Sequence, residues 1–439
     1  MKDLLNWINE LNKKTHVSIK KTSLNDESFW FYDQEKGIIK NRNNSFFSIA
    51  GIKGYVSDNY IEQPIIIQKE IGYLGIICKE FDGITKYLMQ AKIEPGNINC
   101  VQISPTIQAT KSNFTQKHGG NKPLYLEYFI NASKYEIIVD QIQSEQSSRF
   151  YGKRNRNMII KVYEDIPLLN DRFRWMSLKE IKKLMTYKNL VNMDTRTVLS
   201  CLPLMSDNID NVYKDYFEKN KYFYNSVFSN SYLNEITNLY HKINNYKMFN
   251  DNRTEIVKLH ELEMWKMSDQ GISCKKEFPY QVVYCDIEIE GREVTKWSQP
   301  LFQANGIALF GLIRTVIDNE YKYLVKITPE IGCFDSIEVG PTVQKEANTS
   351  FDNDRIETLF FNKIEKQSNI AFDSILSEEG GRFYHEENRN MIIDVSCEEL
   401  LNLPDEYVLV SYRALNHLNL VNNCLNIQLR NLLSVMEVW

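Results

Sequence analysis

Residues 144–162 read SEQSSRFYGKRNRNMIIKV and residues 377–395 read SEEGGRFYHEENRNMIIDV, with twelve of nineteen positions identical. A run this long does not recur by chance, so the chain is read first as a duplication. A second pair, YLMQAKIEPGNINCVQISPTIQAT from Tyr87 and YLVKITPEIGCFDSIEVGPTVQKE from Tyr323, is offset by 236 residues. There Tyr87, Leu88, Gly96, Pro105, Thr106 and Gln108 return as Tyr323, Leu324, Gly332, Pro341, Thr342 and Gln344. The same offset carries Gln63-Pro64 onto Gln299-Pro300 and Gly75 onto Gly311, and the NLV at Asn189 returns at Asn419. Blocks in one order give two units, 1–203 and 250–439, joined by residues 204–249. The joining stretch is rich in Asn and Tyr, lacks proline, and spaces its apolar residues three and four apart. It therefore reads as helical rather than as a flexible linker.

Within a unit the local patterns mix. Tyr87–Ile93, Val101–Gln108, Glu136–Gln143 and Asn157–Val162 are β-branched, apolar or alternating runs, which predicts strands. Glu94-Pro95-Gly96-Asn97 has turn chemistry and predicts a hairpin between the first two. Ser177 with Glu180 three residues on predicts a capping box, and Met193–Leu202 a short helix. Strands followed by helices, twice, give an α+β class.

Composition narrows the function. The 439 residues are 43% hydrophobic and 25% charged, as in a folded globular protein. Lys and Arg number 52 against 57 Asp and Glu, a balance of −5 that excludes a generic nucleic-acid binder. No apolar run approaches the ~20 residues of a membrane span, and the amphipathic N-terminus, MKDLLNWINELNKKTH, lacks a signal-peptide core. A cytoplasmic protein with no membrane partner is expected. The eight cysteines form no CxxC pair and the six histidines no ligand spacing, so buried free thiols are expected, without zinc or disulfides. Neither a GxGxxG after a strand nor a P-loop occurs.

Several groups are candidates for chemistry, each beside a plainer reading. Thr110-Lys111-Ser112-Asn113-Phe114 puts hydroxyls, a cation, an amide and a ring just past a strand, where they bind an anion or sugar hydroxyls, or form a solvated turn. Its counterpart is Lys345-Glu346-Ala347-Asn348, with Glu346 in place of Thr110. Lys153, Arg154 and Arg156 supply cations for a diphosphate, whereas the matching stretch, Glu386-Glu387-Asn388-Arg389, keeps one. A turn-forming role for Asn-Arg-Asn is equally open. Glu145 ends an apolar strand where a general base can stand, or it pairs with Arg149; Glu378 and Arg382 repeat the choice. Tyr128 belongs to an aromatic stripe and is core, or an acid hydroxyl. His118 sits in a Gly-rich loop and is incidental or titrating. Trp30 and Trp297 either stack on a base or pack in the core.

The run FDG-x-x-x-YLMQAKIEPGN, VQISPTIQATKSNFT, HGG, YLEYF, QSEQ, RFYGKRNRNMIIKV, EDIP, FRWMSL and NLVNMDTRTVLSCLP resembles the NDP-hexose 2,3-dehydratases. The second unit's GREVTKWSQPLFQ, GPTVQ and ENRN are similar to the same family, so the resemblance spans nearly the whole chain. It implies a tandem of two Nudix-like domains assembled as a homodimer. It implies loss of water across carbons 2 and 3 of a dTDP-linked 4-keto-6-deoxyhexose, giving a 3,4-diketo-2,6-dideoxy sugar for a downstream 3-ketoreductase or aminotransferase. The substrate's own ketone acidifies the hydrogen on carbon 3, so neither nicotinamide nor metal is required. The chain lacks a Nudix catalytic box, which disfavours a hydrolase; a non-catalytic sugar-nucleotide-binding protein is the competing class. Glu145 is taken as the base, with Lys111 and Tyr128 as electrophile and acid. A duplicated fold also predicts two similar pockets, the first unit's the tighter.

Overall fold

The computed structural model describes residues 1–25, 28–115, 121–204, 216–250, 252–292, 294–349 and 354–436. His118 lies outside them. The architecture is mixed α+β, with four sheets. Two seven-stranded sheets share one connectivity. In the first, Glu136–Ser144, Arg154–Lys161, Gly72–Phe81, Ile84–Ile93 and Phe173–Ser177 lie side by side. In the second, Ile370–Ser377, Glu387–Asp394, Ala308–Ile317, Glu320–Pro329 and Tyr407–Ser411 follow the same order. One pairing in each is parallel, Arg154–Lys161 on Gly72–Phe81 and Glu387–Asp394 on Ala308–Ile317. The helices Leu126–Ile130 and Arg355–Glu365 cover the matching faces through Phe129 and Phe360, whose rings would lie 2.2 Å from a Cβ at Gly75 and Gly311. Only glycine lets the aromatic reach the sheet there.

The sequence reading of Val101–Gln108 as one strand is corrected by two short ones, Val101–Ser104 and Ile107–Ala109. Pro105 has no N–H to donate, and the chain switches there from pairing with Ile84–Ile93 to pairing with Gly72–Phe81. Thr106 bridges the step: its hydroxyl accepts from the Ile77 N–H and donates to the Leu88 carbonyl. Thr342 does the same between Ile313 and Leu324. The predicted hairpin about Glu94–Asn97 is present. So is the capping box at Ser177, while Met193–Ser200 is capped by Asn192. Lys221–Val227 and Tyr232–Phe249 are helical in the joining stretch, of which 205–215 lie outside the described residues. All eight cysteines are free.

The smaller sheets tie the halves together. Val17–Thr22 pairs with Tyr280–Ile289, and Arg253–Val257 pairs with Ser48–Val56, so each half lends an early strand to the other's five-stranded sheet. Two fully buried arginines cross in the same reciprocal way. Arg196 donates to the Ser377 carbonyl, and Arg430 to the Ser144 carbonyl, each the serine of the repeated Ser-Glu pair in the opposite half.

Candidate active site

Two neighbouring cavities share Phe46, Asn113, Arg292, Trp297 and Gln299 in their walls. The inner one, about 70 Å³, is walled by Lys92, Glu94, Gln108, Thr110, Glu145, Lys153 and Asp194 from the first half and by Glu379 and Arg382 from the second. The outer one, about 780 Å³, is within the usual range of a ligand pocket and is lined by Trp30, Trp297, Phe29, Lys20, Lys296 and Arg292.

Close backbone contact builds the inner cavity. The Gly96 N–H donates to the Gly380 carbonyl at 2.7 Å, and the His385 N–H to the Gly96 carbonyl at 2.9 Å. A Cβ at Gly96 would lie 1.5 Å from the Phe383 carbonyl oxygen, so glycine is required for the turn to touch the loop. The turn carries Glu94 and the loop carries Glu379. Glu379 Oε1 accepts from the Gly381 N–H and from Arg382 Nη1, both at 3.0 Å. Arg382 Nη2 donates to Gln68 at 2.9 Å, and its guanidinium lies 4.7 Å over the Phe46 ring. Glu94 Oε1 accepts from Gln108 at 2.9 Å and is 3.8 Å from Lys92 Nζ. The second oxygens of Glu94 and Glu379 are buried and accept no hydrogen bond from the protein. Asp194 enters from the first turn of its helix, and carboxylate oxygens of Glu94, Asp194 and Glu379 lie within 4.8 Å of one another.

Burial and crowding set the charge state. Burial, then the neighbouring Glu379, Glu145 and Glu94, pushes Asp194 well above the usual carboxylate range. Burial raises Glu379 to about 7, with Arg382 opposing and Glu94 and Glu145 reinforcing. Burial likewise raises Glu145, whose Oε1 accepts from Asn155 at 2.6 Å. Burial lowers Lys153 to about 8. Its ammonium donates to the Glu70 carbonyl, the Arg154 carbonyl and Asn155 Oδ1, using all three protons. Three converging oxygens are a shape that hard cations favour. Here Arg382 on Glu379 and Lys92 beside Glu94 already place two positive groups in the cluster, so the donor set fits shared protons rather than a resident metal. Such a site can take a proton from carbon and deliver one to a leaving oxygen.

The structure gathers some of the sequence candidates and scatters others. Glu145, Lys153, Thr110, Asn113, Arg382, Trp297 and Trp30 line the two cavities. Lys111 opens a short helix beside Thr110 with its side chain exposed; Ser112 is held by Glu70, and Phe114 packs 5.5 Å from Tyr73. Tyr128 stacks on Tyr135 in an apolar cluster. Arg154 lies 3.8 Å over Phe334, Arg156 pairs with Asp140, and Arg389 pairs with Asp373. Arg149, from the first half, meets Glu346 at 2.9 Å and Glu386 at 3.8 Å of the second, above Tyr280; these acids replace Thr110 and Lys153 of the first half. Asn388 donates to Glu378, Lys345 pairs with Glu357, and Asn348 bonds the Asn305 carbonyl. Glu94, Asp194, Glu379, Lys92 and Arg292 escaped the sequence reading. Glu94 read as a turn residue and Asp194 as a helix opener, though Glu379 stands in the quoted block where the first half has Gln146.

No helix among the described residues is long and apolar enough to cross a membrane. The model of a family described as NDP-hexose 2,3-dehydratase matches residues 1–202 and 236–436. A dTDP-4-dehydro-6-deoxy-alpha-D-glucopyranose 2,3-dehydratase of Streptomyces violaceoruber is 34% identical, over 98% of this chain and 96% of its own. One of the same name from Saccharopolyspora spinosa is 33% identical, over 94% of this chain and 86% of its own. A solved ADP compounds hydrolase covers 31% of this chain and 72% of its own at 11% identity, with a TM-score of 0.19.

Proposed function

The chain belongs to the NDP-hexose 2,3-dehydratase family, and from that premise we propose that the composite cleft is where it eliminates water from a dTDP-linked 4-keto-6-deoxyhexose. The observation that supports this most is the inner cavity's set of buried carboxyls, Asp194 pushed well above the usual carboxylate range and Glu379 raised to about 7, beside a wide outer chamber. The sugar enters the inner end. Thymine and diphosphate occupy the outer one, with Trp297 offering a face to the base, Trp30 packed on Phe47 in the core behind the wall, and Arg292, Lys296 and Lys20 offering charge to the phosphates.

A carboxylate removes the hydrogen on carbon 3, the ketone takes the electron pair as enolate, and the carbon-2 hydroxyl leaves as water with a proton from a carboxylic acid. Donors near the ketone oxygen lower the enolate's energy; Lys92 and Arg382 are two of the cations that line the inner cavity. Glu145, nominated as base from the sequence, is held by Asn155 on the cavity wall. Lys111 and Tyr128, nominated as electrophile and acid, are proposed instead to shape the rim and the core behind it.

The equal connectivity of the large sheets supports a tandem of two Nudix-like domains, 1–203 and 250–439, around the connector 204–249. The family resemblance supports a homodimer in the cytoplasm, feeding its diketone to a ketoreductase or aminotransferase. The functional test is direct: the wild-type chain, treated with chelator and desalted, should convert dTDP-4-keto-6-deoxyglucose to a 3,4-diketo product followed by NMR. Intact substrate after prolonged incubation would instead favour the non-catalytic binding reading.

A further inference from the structure

Resting on the reading above, we infer that the base of the elimination is Glu379, delivered by the second half of the chain, and that Asp194, from the first half, is the acid facing it. Three observations converge. Glu379 and Asp194 both line the inner cavity, and their carboxylate oxygens lie within 4.8 Å of each other. Glu379 is aimed: Oε1 is fixed by the Gly381 N–H and Arg382, which leaves Oε2 buried and unbonded. Glu145, by contrast, has an oxygen engaged by Asn155 and faces Lys153, an ammonium whose protons are all committed.

The groups around Glu379 come from five elements. Arg382 lies on its own loop, Lys92 and Glu94 on the first hairpin, Asp194 on its helix, Glu145 with Lys153 on the strand-end loop of the first large sheet, and Arg292 just past the strand Tyr280–Ile289. Glu94, Asp194 and Glu379 lie within 4.8 Å of one another in a buried space, where like charges this close favour keeping a proton in the group. Burial and the surrounding acids push Asp194 well above the usual carboxylate range, which favours it as the holder.

The step balances without an oxidant. A Glu379 oxygen bonds the hydrogen of carbon 3 as that C–H bond breaks; the pair becomes the C3–C4 double bond and the ketone's π pair rests on its oxygen. The pair's return forms C2=C3 and breaks the C2–O bond, and the departing hydroxyl takes the proton of Asp194 and leaves as water. The 3-enol then gains a proton at carbon 2 and loses one from its oxygen. Glu379 passes its proton to Asp194, which restores both groups.

The test uses the full chain in D₂O with dTDP-4-keto-6-deoxyglucose, following product, deuterium at carbon 3 of recovered substrate, and dTDP affinity. E379Q should bind dTDP as the wild type does, form product at least ~100-fold more slowly, and incorporate no deuterium. D194N should still exchange the carbon-3 hydrogen while failing to expel the hydroxyl, since its proton is needed only for the second step. If E379Q fails to fold, E379D, which keeps the carboxyl, should bind dTDP and retain slow exchange. Exchange at wild-type rate in E379Q, or its loss in E145Q with retention in E379Q, would overturn the assignment. A wild-type chain that binds dTDP yet never dehydrates the sugar would overturn the functional reading beneath it.

Discussion

Glu379 stands where the first half has Gln146, and Glu346 and Glu386 stand where the first half has Thr110 and Lys153. These three differences favour the proposed placement of the working cleft. The acid at 379 lines the inner cavity; the acids at 346 and 386 clasp Arg149, which reaches over from the first half. With Glu379 raised to about 7, the group must lose its proton to act as a base. The expected kcat/KM therefore rises with pH up to about 7, about tenfold per unit below it, and falls where Asp194 gives up its proton. A profile flat from pH 5 to 8 would show that no such carboxylate limits the reaction. The sequence made the cations of 153–156 conspicuous but not their partners. Arg154 stacks on Phe334 and Arg156 pairs with Asp140, contacts that spacing along the chain cannot reveal.

At the level of elements, local chemistry in the sequence was readable and long-range pairing was not. The Glu94–Asn97 hairpin, the Ser177 capping box and the helix after Asn192 follow from turn and capping residues within a few positions. The break at Pro105 was missed because β-branched residues continue on both sides of it. The most telling element contact is the turn at Gly96 against the loop at Gly380–Phe383, which brings Glu94 and Glu379 together. Gly96→Ala should cost ~4 kcal/mol or more, because its Cβ would meet backbone 1.5 Å away. Gly83→Ala, at φ +77° where the added Cβ would meet nothing within 4 Å, should cost only ~1 kcal/mol of backbone strain. Urea midpoints of the two variants check the contrast; equal shifts would mean that the turn-to-loop contact is not tight.

Across the whole molecule, the exchanged strands and crossed arginines tie the two halves to each other. Nothing in a local pattern announces such exchange, since Val17–Thr22 would pair as readily with a neighbour as with Tyr280–Ile289. The fold also stores carboxyls: burial raises Glu330, Glu379 and Glu386 to about 7 and Glu338 to about 8, from about 4.5 in the unfolded chain. The folded state thus binds more protons than the unfolded one between those limits, and stability falls as pH rises from about 4.5 to 8. The melting temperature should drop by several degrees between pH 5.5 and 8, read by differential scanning fluorimetry; a rise over that interval would contradict the buried-acid picture. The nucleotide is proposed to sit in the cleft lined by Trp297 and Arg292. Calorimetric titration of dTDP into the full chain tests it most directly. One tight site per chain is expected, weakened about tenfold or more by Arg292→Ala and unchanged by Glu346→Gln; tight binding that survives Arg292→Ala and is lost in Glu346→Gln would place the nucleotide in the other half.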